Sequence, residues 1–296
     1  VFGQFKGLGQ EFPGRVIDSP ISETFIIGGG VGAAMVGARP VVDMHFVDFV
    51  GVCMDEILNQ MAKARYMFGG QTKIPLTMRA PDGMTMGGAA QHSQSLEAFF
   101  IHIPGVWVVA PSNPYDAKMV LKAAIESDNP VLYFENKILY KEKDELPELE
   151  DEEPYTIGKA KVVREGKNVT IVSYSIGMKA AVGAADLLAK DGIEAEVIDL
   201  ITLSPWDRET VFNSLRKTHR ICIAHEAVKQ GGVGAEIAAV IAEEMVTELD
   251  APVLRFGAPF CPIPSRRRPW SIWMPPSCGT ALPSARSPSL PPWRRW

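Results

Sequence analysis

Apolar positions along this chain repeat with two periods. From Gly28 to Ala38 it reads GGGVGAAMVGA, with small residues four apart as Gly28/Gly32 and Gly29/Ala33/Gly37. That spacing places them on one helix face and allows another backbone to approach closely. Glycine costs about 1 kcal/mol per site in a helix, so a packing or ligand reason is expected. Short apolar runs predict strands at Ile74–Arg79, Val41–Phe46, Trp107–Ala110 and Pro130–Tyr133. Helical spacing of Ile57, Met61 and Ala64 predicts a helix over Met54–Met67, and Asn113-Pro114 opens another carrying Met119, Leu121 and Ala124.

The alternation resumes further on. Strands are expected at Val169–Ser173, Ala195–Leu200, Ile221–Ala224 and Val253–Arg255. Helices are expected at Met178–Ala189, Arg208–Leu215 and from Gly231-Gly232-Val233-Gly234 to Met245. Strands alternating with helices indicate α/β architecture, here two open parallel-sheet domains. The run KEKDELPELEDEE (Lys141–Glu153), closed by Pro154, reads as a solvated linker, or else as an exposed acidic loop within one domain. The expected boundaries are 1–140, a linker at 141–155, a second domain at 156–264 and an atypical tail at 265–296.

Length supports two domains: 296 residues are ample for two cores. No run of 18 uncharged apolar residues suggests a membrane span. The start, Val1-Phe2-Gly3-Gln4, has no signal-peptide pattern and no Met, so the chain is expected to be cut at this end. Cys53, Cys222, Cys261 and Cys278 are scattered without a CxxC, which indicates neither a disulfide framework nor a zinc site and makes a reducing cytoplasm the default. The net charge of −5 conceals an asymmetry: without the six arginines of the tail, 24 Lys and Arg face 35 Asp and Glu. So acidic a body argues against nucleic acid as the main partner. The tail's Arg, Pro, Ser and Trp, with no acidic residue, read as disorder or as a GC-rich gene translated in the wrong frame.

Several residues have chemistry to offer. Glu23 stands at the start of the glycine-rich helix, where a carboxylate is favoured by the dipole; a plain helix-start acid is its bland reading. His92 lies in a loop after a strand, with Gln91, Ser93 and Gln94 able to set its tautomer; it also reads as an ordinary loop histidine. Alternation makes Phe46 and Phe49 core residues, with stacking on a ligand ring as the alternative. Ile21, Leu76, Met78 and Met84 read locally as core. Gly231-Gly232-Val233-Gly234 lacks the GxGxxG pattern of a dinucleotide loop, and His225-Glu226 reads as a strand end with a subunit surface as the alternative.

Combinations of motifs are more specific. Phe12-Pro13-Gly14-Arg15-Val16-Ile17-Asp18, Pro20-Ile21-Ser22-Glu23, Arg65-Tyr66-Met67-Phe68-Gly69-Gly70, Ala89-Ala90-Gln91-His92-Ser93-Gln94, Pro114-Tyr115-Asp116-Ala117-Lys118 and Val197-Ile198-Asp199-Leu200 resemble the β subunit of the thiamine-diphosphate-dependent dehydrogenase component of 2-oxo-acid and acetoin dehydrogenase complexes. The resemblance runs from about residue 3 to Pro264. It implies a pyrimidine-binding domain followed by a transketolase C-terminal-like domain. It implies Glu23 as the carboxylate that hydrogen-bonds N1′ of the cofactor's aminopyrimidine, Phe49 as the ring stacked on it, and His92 as the active-site histidine that assists acyl transfer. Ile21 and Gln91 join them as cofactor-binding candidates. The main-chain carbonyls of Leu76, Ala124, Ser127 and Asn129 are similar to a monovalent-cation site, which would take K⁺.

Partners follow from the same resemblance: an α subunit in an α₂β₂ heterotetramer and a lipoyl acyltransferase component. No Gly-Asp-Gly segment followed by Asn is present, so Mg²⁺ and the cofactor's diphosphate are expected on the α chain. The implied reaction decarboxylates a 2-oxo acid such as pyruvate, or cleaves acetoin, and passes the acyl unit to a lipoyl carrier. Phe46–Cys53 with Tyr66–Gly70 look closest to acetoin-type subunits, then pyruvate-type. Ser204-Pro205-Trp206-Asp207 and His225-Glu226-Ala227 resemble the branched-chain type. Relatives are expected to carry an extra helix and strand before this start and an ordered acidic and apolar stretch after Pro264. Three rivals stay open: a branched-chain β subunit, a fragment of transketolase or deoxyxylulose-phosphate-synthase type, and a non-catalytic partner-binding pseudo-subunit.

Overall fold

Hydrogen-bonding and burial constraints resolve the apolar runs into two five-stranded sheets. The computed structural model describes residues 3–85, 87–148 and 152–258. The elements of the first sheet's region are α1 (Leu8–Glu11), α2 (Glu23–Met35), β1 (Val41–Asp43), a 3-10 helix Val47–Cys53, a π-helical stretch Glu56–Met61, α3 (Ala64–Met67), β2 (Thr77–Asp82), α4 (Glu97–Ile101), β3 (Trp107–Val109), α5 (Pro114–Glu126) and β4 (Val131–Asn136). There follow β5 (Lys161–Arg164), β6 (Val169–Ser173), α6 (Gly177–Lys190), β7 (Ala195–Asp199), β8 (Thr202–Ser204), α7 (Arg208–Thr218), β9 (Ile221–Val228), α8 (Val233–Glu244) and β10 (Leu254–Ala258).

The first sheet has the order β1-β2-β4-β3-β8 and the second β10-β9-β6-β7-β5. Interior pairings are parallel, as expected, but the edges β8 and β5 run antiparallel to β3 and β7. Strand β8 comes from the later part of the chain and completes the earlier sheet. Its pairing to β3 and the Thr202 hydroxyl, contacted by Tyr155 Oη at 2.7 Å and Gly158 N at 3.0 Å, fix that crossover.

Local chemistry explains some element ends. Asn113 caps α5 by accepting from Asp116 N at 2.8 Å, with Pro114 supplying the fixed φ of the first turn. Asp207 caps α7 in the same way through Thr210 N. Strand β2 starts at Thr77, three residues later than its apolar run, because Pro75 has no N–H for the ladder. Every residue of β2 is buried, so Arg79 is buried as well. Its guanidinium is bound by Glu135 at 2.6 and 2.8 Å, the pairing that a buried charge requires.

Three expectations are corrected. The helix over Met54–Met67 is broken: Ile57, Met61 and Ala64 are buried as the spacing requires, but the ladder is π-type, with Ala62 N donating to Ile57 O. In α2 the face toward the sheet is Ile27, Gly30, Val31 and Ala34, while Gly29 and Gly32 are exposed. Gly30 is the residue that permits the close approach, since a Cβ there would lie 2.7 Å from Val42 Cγ1. The acidic run is not uniformly solvated, because the Glu152 side chain is buried against Lys118 and Lys122. The tail, with Cys261 and Cys278, lies outside the described residues.

Candidate active site

His92 sits in a loop that leaves β2 and reaches α4. The loop has unusual backbone: Gly87 has a positive φ that glycine tolerates, Ala89 holds one at φ 56° against the strain of its Cβ, and a Cβ on Gly88 would lie 3.2 Å from His92 Cβ. Ser93 Oγ donates to Ala89 O at 2.8 Å and accepts from Thr85 N at 3.2 Å, pinning the turn internally. His92 Nδ1 lies 3.1 Å from Gly88 O. A carbonyl only accepts, so Nδ1 carries the proton and Nε2 of the neutral ring is the basic nitrogen. The tautomer is therefore set by a backbone carbonyl and not by Gln91, Ser93 or Gln94.

The aromatic pair is not core. Phe46-Val47-Asp48-Phe49 is no alternating strand but the entry to the 3-10 helix, which buries Val47 and Val50 and leaves Phe49 39% exposed. Both rings meet the imidazole edge to face, Phe46 at 4.8 Å and Phe49 at 5.4 Å between centroids. Asp48 between them accepts from Gln94 N and Gln94 Nε2, both at 3.0 Å, joining this helix to the His92 loop.

Glu23 is the first residue of α2 and is half-buried. Ser22 caps the helix by accepting from Phe25 N at 3.4 Å. Helix α2 packs on the 3-10 helix, and Thr24 Oγ1 reaches Val52 O at 3.2 Å. The neighbourhood is acidic: Cys53 is pushed up to about 12, first by burial and then by Glu56 and Glu23. Ile21 is 87% exposed, which overturns its core reading, while Leu76 and Met78 are fully buried and Met84 is half-buried. Gln91 is exposed. The structure thus brings Phe49 and His92 into contact and sets Glu23 at the start of the helix packed on the 3-10 helix of Phe49.

Sequence reading missed a buried polar group beneath the loop. Burial raises the carboxyls of Asp82 and Glu97, and Glu226 adds to both; Glu97 is partly relieved by Tyr174 Oη at 2.6 Å. Burial also lowers the amine of Lys137, which lies 5.5 Å from the Phe46 ring centre. Asp82 Oδ1, Glu97 Oε2 and Lys137 Nζ have no hydrogen-bond partner among the described residues. His225-Glu226 is no strand end, since β9 continues to Val228 and His225 is buried. Gly232 and Gly234 make room for its ring, at 2.8 and 3.0 Å from where their Cβ atoms would stand. Packing therefore accounts for that glycine run.

The four carbonyls suggested for a cation are each engaged. Leu76 O accepts from Val131 N, Ala124 O from Ser127 N and Asn129 O from Ser127 Oγ. Arg39 donates to Ile125 O, Glu126 O and Ser127 O at 2.8–3.1 Å, placing a positive charge at the C-terminal end of α5. Among the described residues no group of three or more His, Cys, Asp or Glu could hold a metal ion, and no helix is long and apolar enough to cross a membrane.

Comparison with known proteins assigns this architecture. Residues 1–143 match the transketolase pyrimidine-binding domain and residues 158–271 the transketolase C-terminal domain. A solved structure described as a split-gene transketolase, inactive beta4 tetramer, has a TM-score of 0.74 at 26% identity and covers 87% of this chain and 79% of its own. Acetoin:2,6-dichlorophenolindophenol oxidoreductase subunit beta of Bacillus subtilis is 47% identical over 267 residues, 89% of this chain and 77% of that protein. The 2-oxoisovalerate dehydrogenase subunit beta of the same organism is 42% identical, covering 88% and 78%. The pyruvate dehydrogenase E1 component subunit beta of Rickettsia felis is 44% identical, covering 88% and 79%. The chain belongs to the family of transketolase-like proteins formed by the β subunits of acetoin, pyruvate and branched-chain 2-oxo-acid dehydrogenases.

Proposed function

We propose that this chain is the β half of a thiamine-diphosphate-dependent dehydrogenase. It works with an α subunit on acetoin or a 2-oxo acid such as pyruvate and delivers the acyl unit to a lipoyl group on an acyltransferase component. The observation that carries this is the ring contact of Phe49 with His92, with Glu23 heading the helix packed on the 3-10 helix that carries Phe49, and with Ile21, Phe25, Phe49 and Val52 exposed on these elements. Apolar exposure around a half-buried carboxylate is what a site completed by another chain leaves open.

These residues fit the cofactor. A half-buried carboxylate, an accessible aromatic ring and a basic imidazole nitrogen complement the N1′ atom, the flat face of an aminopyrimidine and the reacting end of the thiazolium. When bound, thiamine diphosphate supplies the nucleophilic carbon that attacks the substrate carbonyl. Glu23 would hold N1′ and raise the basicity of the ring it touches. Phe49 would fix the plane of that ring, with Ile21 and Gln91 at its border. His92 Nε2 would hold or take a proton during acyl transfer. The α chain would bring Mg²⁺ and the diphosphate contacts. A monovalent cation such as K⁺ at Leu76, Ala124, Ser127 and Asn129 would use the second lone pair of each carbonyl and share the helix end with Arg39; a K⁺ titration of the thermal midpoint tests this. A cytoplasmic location goes with this reading, and cell fractionation checks it.

The test is reconstitution. The chain is mixed with an α-type subunit, thiamine diphosphate and Mg²⁺, and dye reduction is followed with acetoin, pyruvate or a branched-chain 2-oxo acid. Turnover that requires both chains and the cofactor is expected, and the preferred substrate assigns the type. A folded heteromer inactive with all three would contradict the reading and favour a non-catalytic subunit.

A further inference from the structure

We propose that Glu226 is a positioning residue for His92: its carboxylate, carried on the second sheet, holds both ends of the loop of residues 84–95 together. Oε1 accepts from Met84 N at 3.1 Å, at the start of the loop. Oε2 accepts from Ser95 Oγ at 3.5 Å, at its end, and from Asn136 Nδ2 at 2.5 Å, at the end of β4. The neck is closed between these contacts by Gly83 N donating to Gln94 O at 2.9 Å. Gly83 has φ +73°, and a Cβ there would lie 2.6 Å from Glu226 Oε2 and against Asn136 Nδ2, so the neck is pressed directly onto the carboxylate. His92 is inside this span, and its ring position depends on the loop backbone through Gly88 O.

The chemistry selects a carboxylate. Three donors, an amide N–H, an NH₂ group and a hydroxyl, converge on two oxygens, and an ionised carboxylate accepts at both without presenting a donor. An amide at this position turns one oxygen into NH₂, which then faces a donor in either orientation, Asn136 Nδ2 or Met84 N. Asn136 cannot relieve that by rotating, because its Oδ1 already accepts from Ile138 N at 3.1 Å. Converting Asn136 to Asp as well restores a donor–acceptor pair, keeps the acceptor for Ile138 N and leaves the charge of the pair unchanged.

This inference rests on the catalytic reading of His92 for its consequence, but not for its physical content, and the experiment separates the two. Hydrogen exchange of the 84–95 backbone is measured in the full-length chain for wild type, Glu226→Gln and the double variant Glu226→Gln/Asn136→Asp. Glu226→Gln is expected to speed exchange in this loop by about tenfold, the cost of one lost charge-assisted hydrogen bond, with β6 and α6 unchanged, and the double variant to return it to wild type. The same variants assembled with an α-type subunit are expected to show lower kcat at unchanged KM, recovered in the double variant. Unchanged loop exchange in Glu226→Gln, an equal rise throughout the molecule, or a double variant without wild-type loop protection each overturns the inference. If His92→Asn leaves turnover intact, the catalytic reading fails, and the exchange result still judges Glu226.

Discussion

The ring of Phe49 meets the ring of His92 edge to face, centroids 5.4 Å apart at 80°. Phe46 approaches the same imidazole at 4.8 Å. The contact ties the residue proposed to stack on a cofactor ring to the one proposed to move a proton. Replacing Phe49 with Ala should therefore act in two ways. Cofactor affinity in the assembled enzyme is expected to fall about tenfold, since such ring contacts are worth ~0.5–1.5 kcal/mol beyond burial. The His92 side chain also loses one wall. A thiamine diphosphate titration followed by calorimetry checks the first effect, and the pH dependence of turnover the second.

His92→Asn separates the two nitrogens of the ring. The Asn amide can still donate to Gly88 O as Nδ1 does, but nothing replaces Nε2. Lipoyl-linked turnover is expected to drop by about 10²–10⁴, the usual contribution of a positioned acid–base group, with the loop folded. Dye-linked turnover, which needs no acyl transfer, is expected to fall less. Parallel assays of the two acceptors read this out.

Gly83→Ala tests the neck of the loop. A left-handed φ of +73° and a Cβ pressed on Glu226 and Asn136 are both unfavourable. A loss of roughly 2 kcal/mol or more is expected, visible as a lower thermal midpoint. An unchanged midpoint would mean that the loop repacks freely.

Asp199 connects the sheets, accepting from Ser112 Oγ and from Ile201 N at 3.1 Å. Burial, the largest cause, raises its pKa to about 7, against about 3.9 in an unfolded chain. Between those values the folded state holds the proton and the unfolded state has released it. This group's stabilisation is therefore complete below about pH 4 and is lost as pH rises toward 7. The slope is at most ~1.4 kcal/mol per pH unit. In Asp199→Asn that slope is expected to vanish, so the variant gains on wild type between pH 5 and 7. Urea unfolding at several pH values measures the difference.

Which parts were legible follows from which forces are local. Asn113-Pro114 announced α5 because a cap and a fixed φ act within one turn. The apolar spacing of Ile57, Met61 and Ala64 gave the buried face but not the π ladder, since burial fixes direction and not hydrogen-bond register. Strand β8 is three residues long and exists by pairing with β3, so no period could mark it. Glu23, Phe49 and His92 are proposed from motifs, whereas local alternation alone places Phe49 in the core, where the structure leaves it 39% exposed. Asp48, Asn136 and Glu226 carry no local signature: their partners lie on other elements and become visible only when the sheets are assembled.

The most direct test of the central claim is turnover of Glu23→Gln, assembled with an α-type subunit and saturated with thiamine diphosphate. The variant keeps the size of the side chain at the start of α2, removes its charge and turns one acceptor oxygen into NH₂. Turnover is expected to fall at least about a hundredfold while the heteromer forms normally. Wild-type turnover in that variant would contradict the assignment of Glu23, and with it the half-site.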